Sequence, residues 1–267
     1  MIRPPAVAGQ FYPGNKSALS EMLQLLIPAS EIHQRLIGLM SPHAGYIYSG
    51  SVAGRTFSNV FIPEEVIILG PNHHGQGHQA AVYGHGSWQT PLGEIAIAEK
   101  LAKAVLDSCD YLSEDTLAHR FEHSLEVQVP FLQILSSTVR ILPICIGRLP
   151  LEALLSIGDC LAEVIADRPC KPLIVASTDM THYEPGDIAH QKDFAALEYV
   201  KKINPVGLYK TVTEKHISMC GVMPVVVMLQ AALKLGATMA ELVDYKNSGE
   251  VTGDQSEVVG YAGVRVY

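Results

Sequence analysis

Three apolar runs in the chain end in residues that can bind metal or move protons. They are Leu36-Ile-Gly-Leu-Met-Ser-Pro-His43, Val66-Ile-Ile-Leu-Gly-Pro-Asn-His73-His74 and Leu173-Ile-Val-Ala-Ser-Thr-Asp179-Met-Thr-His182. A fourth segment, Ser218-Met-Cys-Gly-Val-Met-Pro224, supplies Cys220. Open α/β sheets bind ligands beyond the carboxyl ends of their strands. Three buried strands ending in His or Asp therefore point to one site assembled from distant segments. Imidazole, thiolate and carboxylate together suit a transition metal.

Each residue also has a plainer reading. His43 follows Pro42 at a strand end, where a lone histidine is most often an ordinary loop residue. His73 repeats the situation 30 residues later, about one βαβ unit, so the two can sit on neighbouring strand ends. His73 and His74 are adjacent, and successive side chains in extended backbone point apart. One ion should take only one of them. Asp179 either caps a turn, or ligates metal, or orients His182, whose near-neutral pKa suits an acid–base group. Cys220 is either a small buried hydrophobe or a thiol just before a helix starting near Pro224. In the second case the helix terminus would lower its pKa and favour metal binding or nucleophilic attack. His123 and Glu126, three apart, read equally well as a satisfied core pair and as part of the site wall. Tyr46, Tyr48 and Trp88 read as pocket-lining or core aromatics.

The elements that must position these residues follow from hydrophobic periodicity. Helices are expected over 17–27, 51–57, 94–106, 119–135, 149–165, 188–202, 205–213 and 224–235. Pro130 must kink the fourth of these or mark its true start. Strands are expected over 35–41, 66–69, 79–83, 139–146, 172–176, 242–246 and 258–266. The alternation predicts an α/β fold, a single domain over 1–267, with a mainly parallel central sheet flanked by helices.

Bulk properties narrow the function classes. The chain has 267 residues, 48% hydrophobic, with a net charge of −8. The acidic balance argues against a nucleic-acid partner, which needs a basic face. No apolar stretch reaches the ~18 residues of a membrane span, and Met1-Ile-Arg-Pro-Pro does not read as a signal peptide. The five cysteines include no pair separated by two residues, so no zinc ribbon or redox pair is expected. These features predict a reduced, cytoplasmic, soluble protein.

Eight motifs, in order, resemble the Memo family. They are Arg3-Pro-Pro-Ala-Val-Ala-Gly9-Gln-Phe-Tyr-Pro13, Pro42-His-Ala-Gly-Tyr-Ile-Tyr48, Leu69-Gly-Pro-Asn-His-His74, Thr90-Pro-Leu-Gly93, His123-Ser-Leu-Glu126, Ser177-Thr-Asp-Met-Thr-His182, Met219-Cys-Gly221 and Gly260-Tyr-Ala-Gly263. The resemblance implies a fold similar to class III extradiol dioxygenases, non-haem iron enzymes in which two His and one Glu bind Fe(II) and a further His is the acid–base catalyst. It implies His43, His73 and Cys220 as the metal positions, with Asp179 and His182 lining the same pocket. Thiolate in place of the dioxygenase carboxylate softens the site, and with imidazole it suits iron, copper or zinc. Bacterial and archaeal relatives often occur alongside a radical-SAM enzyme and an AMMECR1-like protein, which implies a shared pathway.

Three readings follow. The first is an oxidoreductase using a divalent transition metal, Fe(II) foremost, on a small-molecule substrate. The second is a metal-free hydrolase or transferase with Cys220 as nucleophile, His182 as base and Asp179 as orienter. The third is a non-enzymatic module whose cleft binds a peptide or protein.

Overall fold

The computed structural model describes residues 1–30 and 33–267. In chain order the strands are β1 (Ile2–Arg3), β2 (Gly38–Ser41), β3 (Glu65–Pro71), β4 (Ala80–Val82), β5 (Ser87–Thr90), β6 (Gly93–Ala96), β7 (Ser113–Glu114), β8 (Arg140–Ile146), β9 (Leu173–Ser177), β10 (His182–Glu184), β11 (Ala240–Asn247) and β12 (Val258–Val266). The helices are α1 (Lys16–Leu26), α2 (Tyr46–Phe57), α3 (Glu99–Ser108), α4 (Val129–Leu135), α5 (Leu151–Ala166), α6 (Gly186–Lys201), α7 (Pro205–Glu214), α8 (Val222–Lys234) and the short α9 (Gly249–Thr252).

The main sheet runs β10-β12-β2-β9-β3-β8-β4-β7, with β11 also on β12. Its middle, β2-β9-β3-β8, is parallel throughout. These strands are buried on both faces, which is why they read as continuous apolar runs. Their side chains alternate between two cores. Met40, Ile67, Leu69, Ile174 and Ala176 pack on one side with Leu154, Val226 and Leu229 of α5 and α8. Leu39, Val66, Ile68, Leu173 and Val175 pack on the other with Leu19, Ala53 and Phe131 of α1, α2 and α4.

The sheet is mixed rather than mainly parallel. β12 runs antiparallel to β2, β10 and β11, and β4 antiparallel to β8. The cause is loop length. A parallel return needs a crossover of about a dozen residues or more. The 72–79 loop is too short for one, so the chain reverses into β4. The 248–257 segment likewise only turns β11 back along β12.

Two helix expectations shift for local reasons. The 94–106 stripe is in fact β6 followed by α3. Gly93, at φ 124°, closes a tight turn after Thr90-Pro-Leu, and Ile95 then pairs with Trp88 across the β5–β6 hairpin. That hairpin joins β1 in a separate three-stranded sheet. Over 119–135, Pro130 marks the true helix start: it occupies the first turn of α4, where its missing N–H costs nothing. The preceding residues form turns and a single 3₁₀ turn at Glu126–Gln128.

That irregular stretch is fastened to the N-terminus by charge. Arg3 reaches the Glu126 carboxylate at 2.7 Å and donates to the carbonyls of His119 and Glu122, each at 2.7 Å. Glu126 also accepts from the Ala6 and Val7 N–H groups and from the Tyr12 hydroxyl. Both charged side chains are almost wholly buried, and the Arg3 guanidinium lies over Trp88. Removing one member of a buried pair leaves the other uncompensated. Glu126→Ala should therefore destabilise the protein by about 3–5 kcal/mol in chemical denaturation; a loss below about 1 kcal/mol would mean the pair does not fasten this segment.

Candidate metal centre

The parallel strands deliver their chemistry at one edge. His43 lies two residues past β2, Asp179 two past β9 and His73 two past β3. His43 and His73 are not on neighbouring strands: β9 enters late in the chain and inserts between β2 and β3. The insertion brings Ser177 and Asp179 beside His43, which both of them hold.

His43 is fixed from behind. Its Nδ1 lies 2.9 Å from the Ser177 hydroxyl. That hydroxyl already donates to the Ser124 carbonyl at 2.7 Å and accepts from Gln128 Nε2 at 2.8 Å. With its one proton committed, Ser177 must accept from His43, so Nδ1 carries the hydrogen and Nε2 is the free nitrogen. The His43 N–H donates to Asp179 Oδ1 at 2.7 Å. Burial, with the neighbouring His123 and His73, pushes the His43 pKa well below its ordinary value, so the ring is neutral and ready to ligate.

His73 is held the same way by a carboxylate. Glu122 accepts from the His73 N–H at 2.7 Å and from Nδ1 at 2.9 Å, and also from the Ser124 N–H. This leaves His73 Nε2 free, and a carboxylate behind a histidine is a common support for a metal ligand. Burial alone would raise the Glu122 pKa, but the His73 hydrogen bond and charge outweigh it and lower it far below the carboxylate range. For His73, burial works downward, and the Glu122 hydrogen bond and charge overcome it to raise the pKa.

The third imidazole is His123. Its ring stacks on His73 at 4.8 Å and meets the His43 ring edge-on at 5.5 Å. One ligand atom from each of His43, His73 and His123 lies within 4.8 Å of the others, a group that could hold a metal ion. Burial lowers the His123 pKa to about 4, which keeps it neutral. The expected His123–Glu126 pair splits: Glu126 serves the Arg3 network and His123 faces the site. His74 turns away to the Phe121 carbonyl.

Cys220 stands at the same site on the His43 side. Its Sγ lies 3.2 Å from His43 Nε2 and accepts from the Asp179 N–H at 3.3 Å. Gly221 permits this approach, since a Cβ there would collide with the Ser177 carbonyl and the Thr178 side chain. The expected lowering of the thiol pKa by the helix terminus is not seen. Burial, then the Asp179 charge, push it up instead. The thiol is thus held toward its neutral form, with Sγ against His43 Nε2 and the Asp179 carbonyl. His182 is half-buried at the start of β10. Its Nδ1 donates to the Ser218 carbonyl at 3.0 Å and its N–H to the Ser218 hydroxyl. Burial pushes the Asp179 pKa up to about 6 against the hydrogen bond from the His43 N–H.

Sequence reasoning missed Glu122, Ser177 and Gln128 as supports. Glu122 and Ser177 lie inside or beside motifs already singled out, next to His123 and near Asp179, but nothing in sequence spacing says whose ring they hold. Tyr46 and Trp88 are core residues: Tyr46 is buried with its hydroxyl on the Val127 carbonyl, and Trp88 is buried against Arg3. Among the described residues no helix is long and apolar enough to cross a membrane.

Fold and site together define a mixed-sheet α/β protein with a histidine cluster, able to hold metal, at its parallel strand edge. Comparison with known proteins gives the family. The model of the Memo-like proteins matches residues 3–265, and the chain belongs to the Memo family. A MEMO1 family protein of Methanosarcina barkeri is 40% identical, covering 99% of this chain and all of its own. One from Aquifex aeolicus is 42% identical over 98% of both chains. The crystal structure of an uncharacterized Escherichia coli K12 protein shares the fold, with a TM-score of 0.62 and 13% identity over 86% of this chain and 99% of its own.

The Glu122–His73 pair makes a testable contribution in metal-free protein. The lowered Glu122 pKa adds stability that is lost as pH falls below the ordinary value of about 4.3. The raised His73 pKa adds stability that is lost as pH rises above about 6.5. The stability difference between wild type and Glu122→Gln should thus peak between about pH 4.5 and 6.5. A difference flat from pH 4 to 8 would contradict the pairing.

Proposed function

We propose that this protein holds one divalent transition metal at the His43–His73 edge and uses it in redox chemistry on a small molecule. The observation that carries this reading is the hydrogen bonding behind the two rings. Ser177 and Glu122 each engage Nδ1, so both rings can present Nε2 for ligation, that of His43 beside the Cys220 thiol. Cys220 is the third ligand and His123 completes the donor set. The residues fit the group: three imidazoles and a thiol are donors for iron, copper or zinc, and Fe(II) is our leading choice. Cys220 would bind such an ion as thiolate, giving up its proton, since a cation there would offset the Asp179 charge.

Once bound, such an ion supplies Lewis acidity and, if iron or copper, electron transfer. The chain's own residues do the rest. Ser177 and Glu122 hold the rings in their ligating tautomers. Asp179 holds the His43 backbone and, with His182, would handle protons. The strand-end placement supports a chassis like that of the class III extradiol dioxygenases. The metal-free nucleophile reading is less favoured, because the Cys220 thiol is pushed toward its neutral form and contacts His43 rather than His182.

Metal analysis of protein purified without oxygen tests the proposal. Wild type should carry about one equivalent, and a His43→Ala, His73→Ala, Cys220→Ser triple variant less than a tenth of that. Ser177→Ala should weaken metal affinity by about 10–100-fold while leaving every ligand in place. Equal metal content in wild type and the triple variant would refute it.

A further inference from the structure

The cleft beside the metal centre continues well past it. Its volume is about 1000 Å³, at the upper end of the ~300–1,000 Å³ of small-molecule pockets. His73 and Cys220 line it, together with Ile146, Met219, Met223 and Arg148. Arg148 occupies the second position past the end of β8, as His43, Asp179 and His73 do past β2, β9 and β3. All four parallel strands therefore place a chemically active residue at the same step beyond the sheet.

Strand register relates Arg148 to His73 across β3 and β8. Pro71 of β3 pairs with Ile146 of β8, and the Asn72 N–H donates to the Ile146 carbonyl. His73 and Arg148 each lie two residues past this last pair, and both line the cleft. The guanidinium has no hydrogen bond or ion pair among the described residues, and the cleft lining includes no Asp or Glu. Arginine does not deprotonate in proteins, so this cleft carries a fixed, unopposed positive charge. A planar guanidinium fork matches a carboxylate through two parallel hydrogen bonds. A phosphate dianion would call for a second cation or a nest of backbone N–H groups, and Arg148 is the only Arg or Lys of the lining. The rest of the lining mixes polar residues with an apolar set that includes two adaptable methionines, Met219 and Met223.

We propose that the cleft takes a small molecule with an apolar body and a carboxylate, and that Arg148 binds the carboxylate and orients the body along the metal centre. Only the orientation toward a metal rests on the function proposed above; carboxylate recognition by Arg148 does not.

Calorimetry on the full chain, metal-loaded and chelator-treated, tests this with three probes: 3-phenylpropanoate, 3-phenylpropanamide and 3-phenylpropyl phosphate. The carboxylate should bind about tenfold more tightly than the amide in both forms of the protein. Arg148→Glu should abolish that preference while metal content stays at the wild-type level, and Arg148→Lys should keep part of it. Equal binding of carboxylate and amide, tighter binding of the phosphate, no binding of any probe, or a preference that survives Arg148→Glu would each overturn the inference. A preference lost on chelation but kept by Arg148→Glu would assign the carboxylate to the metal, overturning this inference while supporting the metal centre. An Arg148-dependent preference in a protein that takes up no metal would do the reverse.

Discussion

The Glu122 carboxylate is the constraint on which the site depends. It is fully buried, and a buried charge persists only if it is fully hydrogen-bonded. Its partners are the backbone and ring of His73 and the Ser124 N–H. Those bonds clamp the loop after β3 to the irregular 116–125 segment, and His123 rides on that segment. The Glu122 carbonyl is in turn held by Arg3, and Arg3 by Glu126. The N-terminal residues, far from the site in sequence, thus set the position of two of its three imidazoles.

A second clamp works from the other side. β9 inserts between β2 and β3 and brings Ser177 under His43. The Ser177 hydroxyl is saturated by Ser124, Gln128 and His43, so the tautomer of His43 follows from proton counting alone. The two clamps meet at Ser124, whose N–H serves Glu122 and whose carbonyl serves Ser177. One residue therefore couples the supports of the His43 and His73 rings.

Much of this is legible in the sequence. The buried strands announce themselves as short apolar runs, and the residues past their ends stand out by type alone. Strand order is not legible: nothing local says that the chain's ninth strand returns to the middle of the sheet. The antiparallel flanks follow from loop lengths, which the sequence does contain. His123 reads ambiguously because its segment has no regular period. Glu122 escapes notice because a carboxylate that supports a ring looks like any other in a linear pattern. The thiol of Cys220 departs from expectation for a physical reason. A helix terminus acts weakly over a short range, and here burial and the Asp179 charge dominate it.

The central claim is that these rings and this thiol share one ion. X-ray absorption spectroscopy of anaerobically loaded protein reads the donor set directly. The account predicts a shell containing at least two imidazoles, with one sulfur at about 2.3 Å that disappears in Cys220→Ser. A shell of oxygen donors with no imidazole signature would contradict it.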